Sequence, residues 1–191
     1  RSNLATVVLQ MKSMGINDIV HFDFLDAPPT STLERSLQYL FLLGAVDKKL
    51  SLTAVGQQMA KFPLDPMYSL TLLKATEYGC VQEILTILSM LSVESIFYSP
   101  STHREEANKA KKRFSSQYGD HLTYLYVYKA YIESNGDKAF CQKNFIHQKN
   151  LQKVVEIRKQ LTRYMKQLNV EVESTCEKNH RLVRKCLLSA G

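Results

Sequence analysis

The residues in this 191-residue chain best suited to metal binding or nucleophilic chemistry are four cysteines and five histidines. They are Cys80, Cys141, Cys176 and Cys186, with His21, His103, His121, His147 and His180. Their spacing supports neither role. No CxxC or HxxxH pair is available to close around a metal ion, so idle or buried thiols in a reducing compartment are expected. Cys141 and His147 share one stretch without a residue to orient the imidazole, which makes them a chance pair. Glu105-Glu106 stands at a helix start, where carboxylates complement the helix dipole without any catalytic role. No GxxxxGK loop is present to cradle phosphates, and there is no DExH sequence and no serine nucleophile elbow. The isolated chain is therefore expected neither to bind nor to hydrolyse ATP, and no cofactor or metal is assigned to it.

The remaining chemistry is that of binding. Five of the ten residues from Arg104 to Arg113 are basic, and Tyr118, Tyr124, Tyr126, Tyr128 and Tyr131 follow closely. Cations beside aromatic rings suit a single strand, whose phosphates need charge and whose bases can stack. A solvated helix face and a set of packed tyrosines explain the same residues equally well. The net charge of +7 is uneven: residues 1–67 hold six Lys/Arg against six Asp/Glu, and residues 68–191 hold nineteen against twelve. The excess thus points to a polyanion near the second part.

The elements that must carry these residues are mainly helical. With 45% hydrophobic residues the chain can build a core. The longest apolar run, Tyr39 to Val46, is far too short for a membrane span, and no secretory signal opens the chain, so a soluble protein with no membrane partner is expected. Leu4, Val7, Val8 and Met11 mark a first helix ending at Gly15. Ser31-Thr32-Leu33-Glu34 reads as a capping box for a second, with Leu33, Leu37, Leu40 and Phe41 inward. Ala45-Val46 and Leu50-Ser51-Leu52 flank Asp47-Lys48-Lys49 as a small two-stranded wing, after which Thr53 caps a third helix carrying Val55 and Met59. Helix, helix, wing, helix is a winged-helix order.

Asp65 and Pro66 suit an N-cap and a first helical position, and the charge-neutral part ends there. The helical part follows, with the strong stripe Val81, Ile84, Leu85, Leu88 and Leu91. Thr102-His103-Arg104-Glu105 forms a second capping box, and Asp120 caps a helix holding Leu122, Leu125 and Ile132. A last long helix turns Leu151, Val154, Val155, Leu161, Met165 and Leu168 inward, with Lys153, Lys159, Arg163 and Lys166 outward. The expected fold is a small winged-helix domain over residues 1–66 with a short β-wing, followed by an all-α helical bundle over 67–191.

Several stretches resemble a known family in its own order. Arg1-Ser2-Asn3-Leu4-Ala5, Phe22-Asp23-Phe24-Leu25-Asp26-Ala27-Pro28-Pro29 and Leu52-Thr53-Ala54-Val55-Gly56 through Phe62-Pro63-Leu64-Asp65-Pro66 are similar to the winged-helix segment of DEAH-box RNA helicases. Gly79-Cys80, Glu83-Ile84-Leu85-Thr86-Ile87, Gly119-Asp120-His121-Leu122-Thr123, Asn144-Phe145 and Arg158-Lys159-Gln160-Leu161 resemble the helicase-associated ratchet domain that follows it. Two departures are Phe140, where the family has tryptophan, and a short stretch between Glu133 and Ala139.

The resemblance implies an accessory region of an ATP-dependent RNA helicase. ATP and magnesium would be bound by RecA-like motor domains before Arg1, and an OB-fold would follow Gly191. It further implies that the ratchet lines a channel for single-stranded RNA, that the winged helix anchors the ratchet to the motor, that a G-patch activator can dock on it, and that the setting is nuclear or cytoplasmic, the nucleus being favoured. The expected recognition helix carries no basic surface, so the winged helix reads as a structural hinge rather than a groove reader. Charge and resemblance together nominate Arg104, Lys109, Lys112 and Arg113 for RNA contact. Gly119, Asp120, His121 and Thr123 at the next helix start, with Asn144 and Arg158 on later helices, complete the set. Two other classes fit the same residues: a freestanding winged-helix nucleic-acid-binding protein and a helical protein-interaction scaffold.

Overall fold

Among the described residues the chain forms ten α-helices, and capping chemistry sets several of their ends. The structure, a computed structural model, describes residues 2–177 and 179–190; Arg1, where the family-like stretch begins, and Gly191, where the second expected domain ends, lie outside the described residues. The helices are α1 (Ser2–Ser13), α2 (Thr30–Leu42), α3 (Ala54–Met59), α4 (Pro66–Tyr78), α5 (Val81–Leu91), α6 (Arg104–Phe114), α7 (Asp120–Glu133), α8 (Lys138–Lys143), α9 (Gln148–Gln167) and α10 (His180–Ser189). Two of the expected caps form. Thr53 Oγ1 accepts from the Gly56 amide at 3.0 Å, and Asp65 Oδ1 accepts from the Met67 amide at 2.9 Å, with Pro66 at the first helical position.

Three other expected starts differ. Helix α2 begins at Thr30 behind Pro29, with no side-chain cap, so Ser31 is already inside the first turn. A 3-10 turn over Ser101–His103 replaces the second capping box, and His103 precedes α6 without a capping bond. Gly119, not Asp120, is the residue before α7. Its φ of 110° and ψ of 177° lie in a region that side chains with a Cβ avoid, and Asp120 moves into the first turn.

Two compact units emerge. The first unites residues up to Gly79 with the C-terminal stretch from Arg181, and the second spans Cys80–His180. By compactness the two units divide after α4. The terminal stretch, expected in the helical bundle, returns to the first unit. There the Cys186 thiol donates to the Thr71 carbonyl at 3.5 Å, and Ala190 joins the core.

The first core gathers Ala5, Val8, Leu9, Leu33, Leu37, Leu40, Ala45, Val46 and Met59. Helix α1 is rotated from its expected face, since Ala5 and Leu9 are buried while Val7 is 44% exposed. Phe41 of the expected α2 stripe is likewise largely outside, with Ser36 inside instead. The wing is reduced to a single antiparallel bridge, Val46↔Leu52, and no strand forms among the described residues. Asp47 Oδ1 organises its tip by accepting from the Lys49 and Ser51 amides at 2.9 Å each. Buried Lys12 then ties it to α1, its Nζ donating to the Leu50 carbonyl at 2.5 Å and to Asn17 O at 3.2 Å. Burial lowers the Lys12 pKa from its ordinary value. Gly56 is required for close packing here, because a Cβ would stand 2.1 Å from the Ala45 carbonyl oxygen.

The second unit is centred on α5, buried from Glu83 to Met90 with Val81. Helices α7 and α9 both pack on it. Its second core collects Met90, Ile96, Val127, Tyr131, Cys141, Ile146, Leu151 and Val154. On α9 Leu151, Val154, Leu161 and Met165 are buried and Lys153, Lys159, Arg163 and Lys166 exposed, as the spacing predicts, while Val155 and the C-cap residue Leu168 are only partly buried. Ile132, expected inward on α7, is instead 45% exposed. No helix among the described residues is long and apolar enough to cross a membrane.

Candidate nucleic-acid interface

Helix α6 buries Ala107 and Ala110, and that narrow apolar stripe leaves Arg104, Lys109, Lys111, Lys112 and Arg113 exposed. Glu105 and Glu106 lie in the first turn and Lys111, Lys112 and Arg113 in the last, so part of this charge serves the helix dipole. Among the described residues the ion pairs are His21–Asp18 at 2.9 Å and Lys159–Glu156 at 3.6 Å. Arg104, Lys109 and Lys112 therefore present cations with no carboxylate at ion-pair distance. Lys111, which the sequence reading did not single out, sits 5.7 Å from the Phe97 ring centroid as a cation–π contact.

Arg113 is partly committed to the fold. Its Nη2 donates to Asn144 Oδ1 at 3.1 Å, and Asn144 Nδ2 donates to the Phe140 carbonyl at 2.8 Å. Asn144 is 6% exposed, so it acts as a buried bracket between α6 and α8 rather than as a surface contact. The turn before α7 is similarly internal. Thr123 Oγ1 accepts from the Ser116 amide at 3.0 Å and donates to Gly119 O at 3.2 Å, leaving Asp120 and His121 exposed at the helix start.

Arg158 lies apart from this group. Its Nε donates to Thr86 Oγ1 at 2.9 Å, and its Nη2 donates to the Gln82 carbonyl at 3.0 Å and Gln82 Oε1 at 2.9 Å. The guanidinium also stands 5.8 Å from the Tyr128 ring centroid. Burial lowers its pKa, and these bonds tie α9 to α5. The α6 cations, Asp120 and His121 are thus exposed, while Thr123 and Asn144 are buried and Arg158, partly buried, is bonded to α5.

Most of the clustered tyrosines pack. Tyr131 is buried, Tyr128 lies beside Arg158, and Tyr126 shares a 2.9 Å hydrogen bond with His180 Nδ1; Tyr118 alone of the five is strongly exposed, at 49%. Cys141 and Cys176 are poor nucleophiles. Burial, followed by the Glu83 carboxylate, pushes Cys176 up to about 12, and burial raises Cys141. Glu83 is itself buried, accepting from the Thr175 hydroxyl and, at 3.2 Å, from the Cys176 amide. No local signal joins Glu83 to partners more than ninety positions away. Among the described residues no group of three His, Cys, Asp or Glu could hold a metal ion.

Charge is shared between the units more evenly than the split at residue 67 implies. On the sequence, the first unit has ten Lys/Arg against seven Asp/Glu and the second fifteen against eleven. Lys74, Arg181, Arg184 and Lys185 move to the first unit. Net charge therefore does not single out either unit, whereas the exposed α6 cations mark a face of the second.

The winged-helix part of the helicase-associated domain (HA2) matches residues 36–64, and its ratchet-like part matches residues 65–124. The chain is 37% identical over 190 residues to the human probable ATP-dependent RNA helicase DHX35, covering 99% of this chain and 27% of that protein. It is also 37% identical over 190 residues to the mouse ATP-dependent RNA helicase DHX33, covering 98% of this chain and 27% of that protein. The chain thus spans about a quarter of the length of these relatives. With winged-helix and ratchet matches in sequence and this identity along nearly its whole length, the chain belongs to the DEAH-box RNA helicase family, as its helicase-associated winged-helix and ratchet region.

Proposed function

We propose that this region guides single-stranded RNA along the α6 face of its second unit and couples that strand to RecA-like motor domains of the same helicase. The observation that carries the reading is the set of exposed cations Arg104, Lys109 and Lys112 with no carboxylate at ion-pair distance. Such a row neutralises a phosphate backbone without reading bases, as a helicase that acts on many sequences requires. Asp120 and His121 border the track, while Thr123, Asn144 and Arg158 hold its supporting helices. ATP and magnesium belong to the motor domains, an OB-fold completes the assembly, and the setting is nuclear.

Groove reading by the first unit is disfavoured, because α2 and α3 together carry a single cation, Arg35. The test is a salt titration of oligouridine binding to the full chain. Lys109→Ala with Lys112→Ala should lower the slope of log K against log salt by about 1.4, at roughly 0.7 per lost phosphate contact. Lys48→Ala with Lys49→Ala, in the wing, should leave it unchanged. Equal effects from both pairs, or tighter binding to duplex DNA than to the single strand, would overturn the reading.

A further inference from the structure

The antiparallel bridge Phe97↔Ile146 separates two surfaces of the second unit. Neighbouring side chains on an extended segment point to opposite sides. On one side, the Phe97 ring lies 6.4 Å from that of Phe114 and beneath Lys111, both on α6. On the other, the Tyr98 ring meets His147 at 5.1 Å and Phe145 at 5.7 Å. Tyr98 and His147 line a cleft of about 410 Å³ bounded by α8 and the start of α9. Lys138, Lys149 and Lys153 project around it, all exposed, and no aspartate or glutamate is among the residues lining it.

The cleft is held open by side chains tied to distant backbone. Asn150 Nδ2 donates to Ser95 O at 2.6 Å, and Gln148 Nε2 donates to Gly136 O at 3.3 Å. Tyr98 N donates to Phe145 O at 3.0 Å, and His147 N to Ile96 O at 2.8 Å, fixing the aromatic wall. Its volume lies within the range of small-molecule sites. Three cations, an aromatic wall and no carboxylate favour a group that is anionic at one end and flat at the other. A nucleotide unit has that chemistry.

We infer that this cleft is a second contact for single-stranded RNA, in which Lys138, Lys149 and Lys153 hold phosphate oxygens and a base stacks against Tyr98. It deepens the proposed function and rests on it, since a strand on α6 needs only to cross the Phe97↔Ile146 bridge to reach the cleft. Arg113 of α6 is bonded to Asn144, two residues before Ile146.

The test uses the full chain and a fluorescein-labelled oligouridine, with circular dichroism to verify folding of each variant. Lys149→Ala with Lys153→Ala should weaken binding roughly tenfold and lower the salt slope by about 1.4, in addition to the α6 effect. Tyr98→Ala should weaken binding about tenfold while Tyr98→Phe keeps it, because stacking needs the ring and not the hydroxyl. A 4-thiouridine strand should crosslink to the peptide containing Tyr98 or His147. If the α6 pair weakens binding and the cleft variants do not, the inference falls and the proposed function stands. If neither set matters, both fall. Should a poly-glutamate peptide of equal charge compete as well as RNA, with Tyr98→Ala without effect, the cleft is a site for acidic peptides and the inference is overturned.

Discussion

Replacing Asp65 tests how a single carboxylate oxygen couples two helices of the first unit. Asp65 Oδ1 accepts from the Met67 amide and from the Tyr39 hydroxyl, both at 2.9 Å, so it caps α4 and holds α2 at once. Loss of an N-cap costs about 1 kcal/mol. Depriving the half-buried Tyr39 hydroxyl of its acceptor adds about 1 kcal/mol. Asp65→Ala is therefore expected to destabilise the first unit by about 2 kcal/mol, twice what capping alone predicts. Tyr39→Phe should cost about 1 kcal/mol, and the double variant about 2 rather than 3, a coupling of about 1 kcal/mol. Asp65→Asn, which can still cap and accept, should lose only about 0.5 kcal/mol. The chain has no tryptophan, so urea unfolding is followed by far-ultraviolet circular dichroism. Additive single-variant effects, or an Asp65→Ala midpoint equal to that of the parent, would refute the shared-oxygen account.

Tyr39 also sets an alkaline limit. Burial, and then Asp65, hold its phenol well above the ordinary value. Its stabilising term is complete below about pH 10 and is lost above it, because the unfolded tyrosine ionises first. Tyr39→Phe should make the fall in melting temperature above pH 10 shallower without abolishing it, since burial raises Tyr128 and Tyr131 in the same direction; an unchanged fall would remove Tyr39 from the account. Gly56→Ala, which would stabilise an unhindered helix by about 1 kcal/mol, should instead destabilise by about 3 kcal/mol, as its Cβ meets the Ala45 backbone and Leu52 Cδ1. A raised melting temperature would contradict that packing. Arg158→Met should cost about 3 kcal/mol through the lost bonds to Thr86 and Gln82, and Arg158→Lys should recover only part of it. At equal folded fraction, the RNA salt slope of Arg158→Met should match the parent; a drop of about 0.7 would make Arg158 a phosphate contact after all.

Local signals were sufficient wherever one short stretch holds both partners of an interaction. The caps at Thr53 and Asp65 are closed by amides two or three positions away, so residue type and spacing alone locate those helix starts. Helix α9 was equally legible, because its twenty residues repeat the apolar spacing often enough to define one face. The α6 cations read directly as a charged face, and the ordered family-like stretches point to the region from sequence alone. The face of α1 could not be fixed this way, since Val7 and Leu9 are interchangeable until α2 packs beside them. Nor could the roles of Asn144 and Arg158. Their polar groups are satisfied by Arg113, Thr86 and Gln82, between 31 and 76 positions away, and nothing in the local sequence separates a buried bracket from an exposed contact. The terminal stretch from Arg181 carries apolar and basic residues that suit either unit. Only tertiary packing, which seals Cys186 against Thr71 and Ala190 into the first core, decides where it belongs. The division follows from range: backbone capping and periodicity act within a few turns, whereas the burial that distinguishes support from surface depends on which distant segments meet.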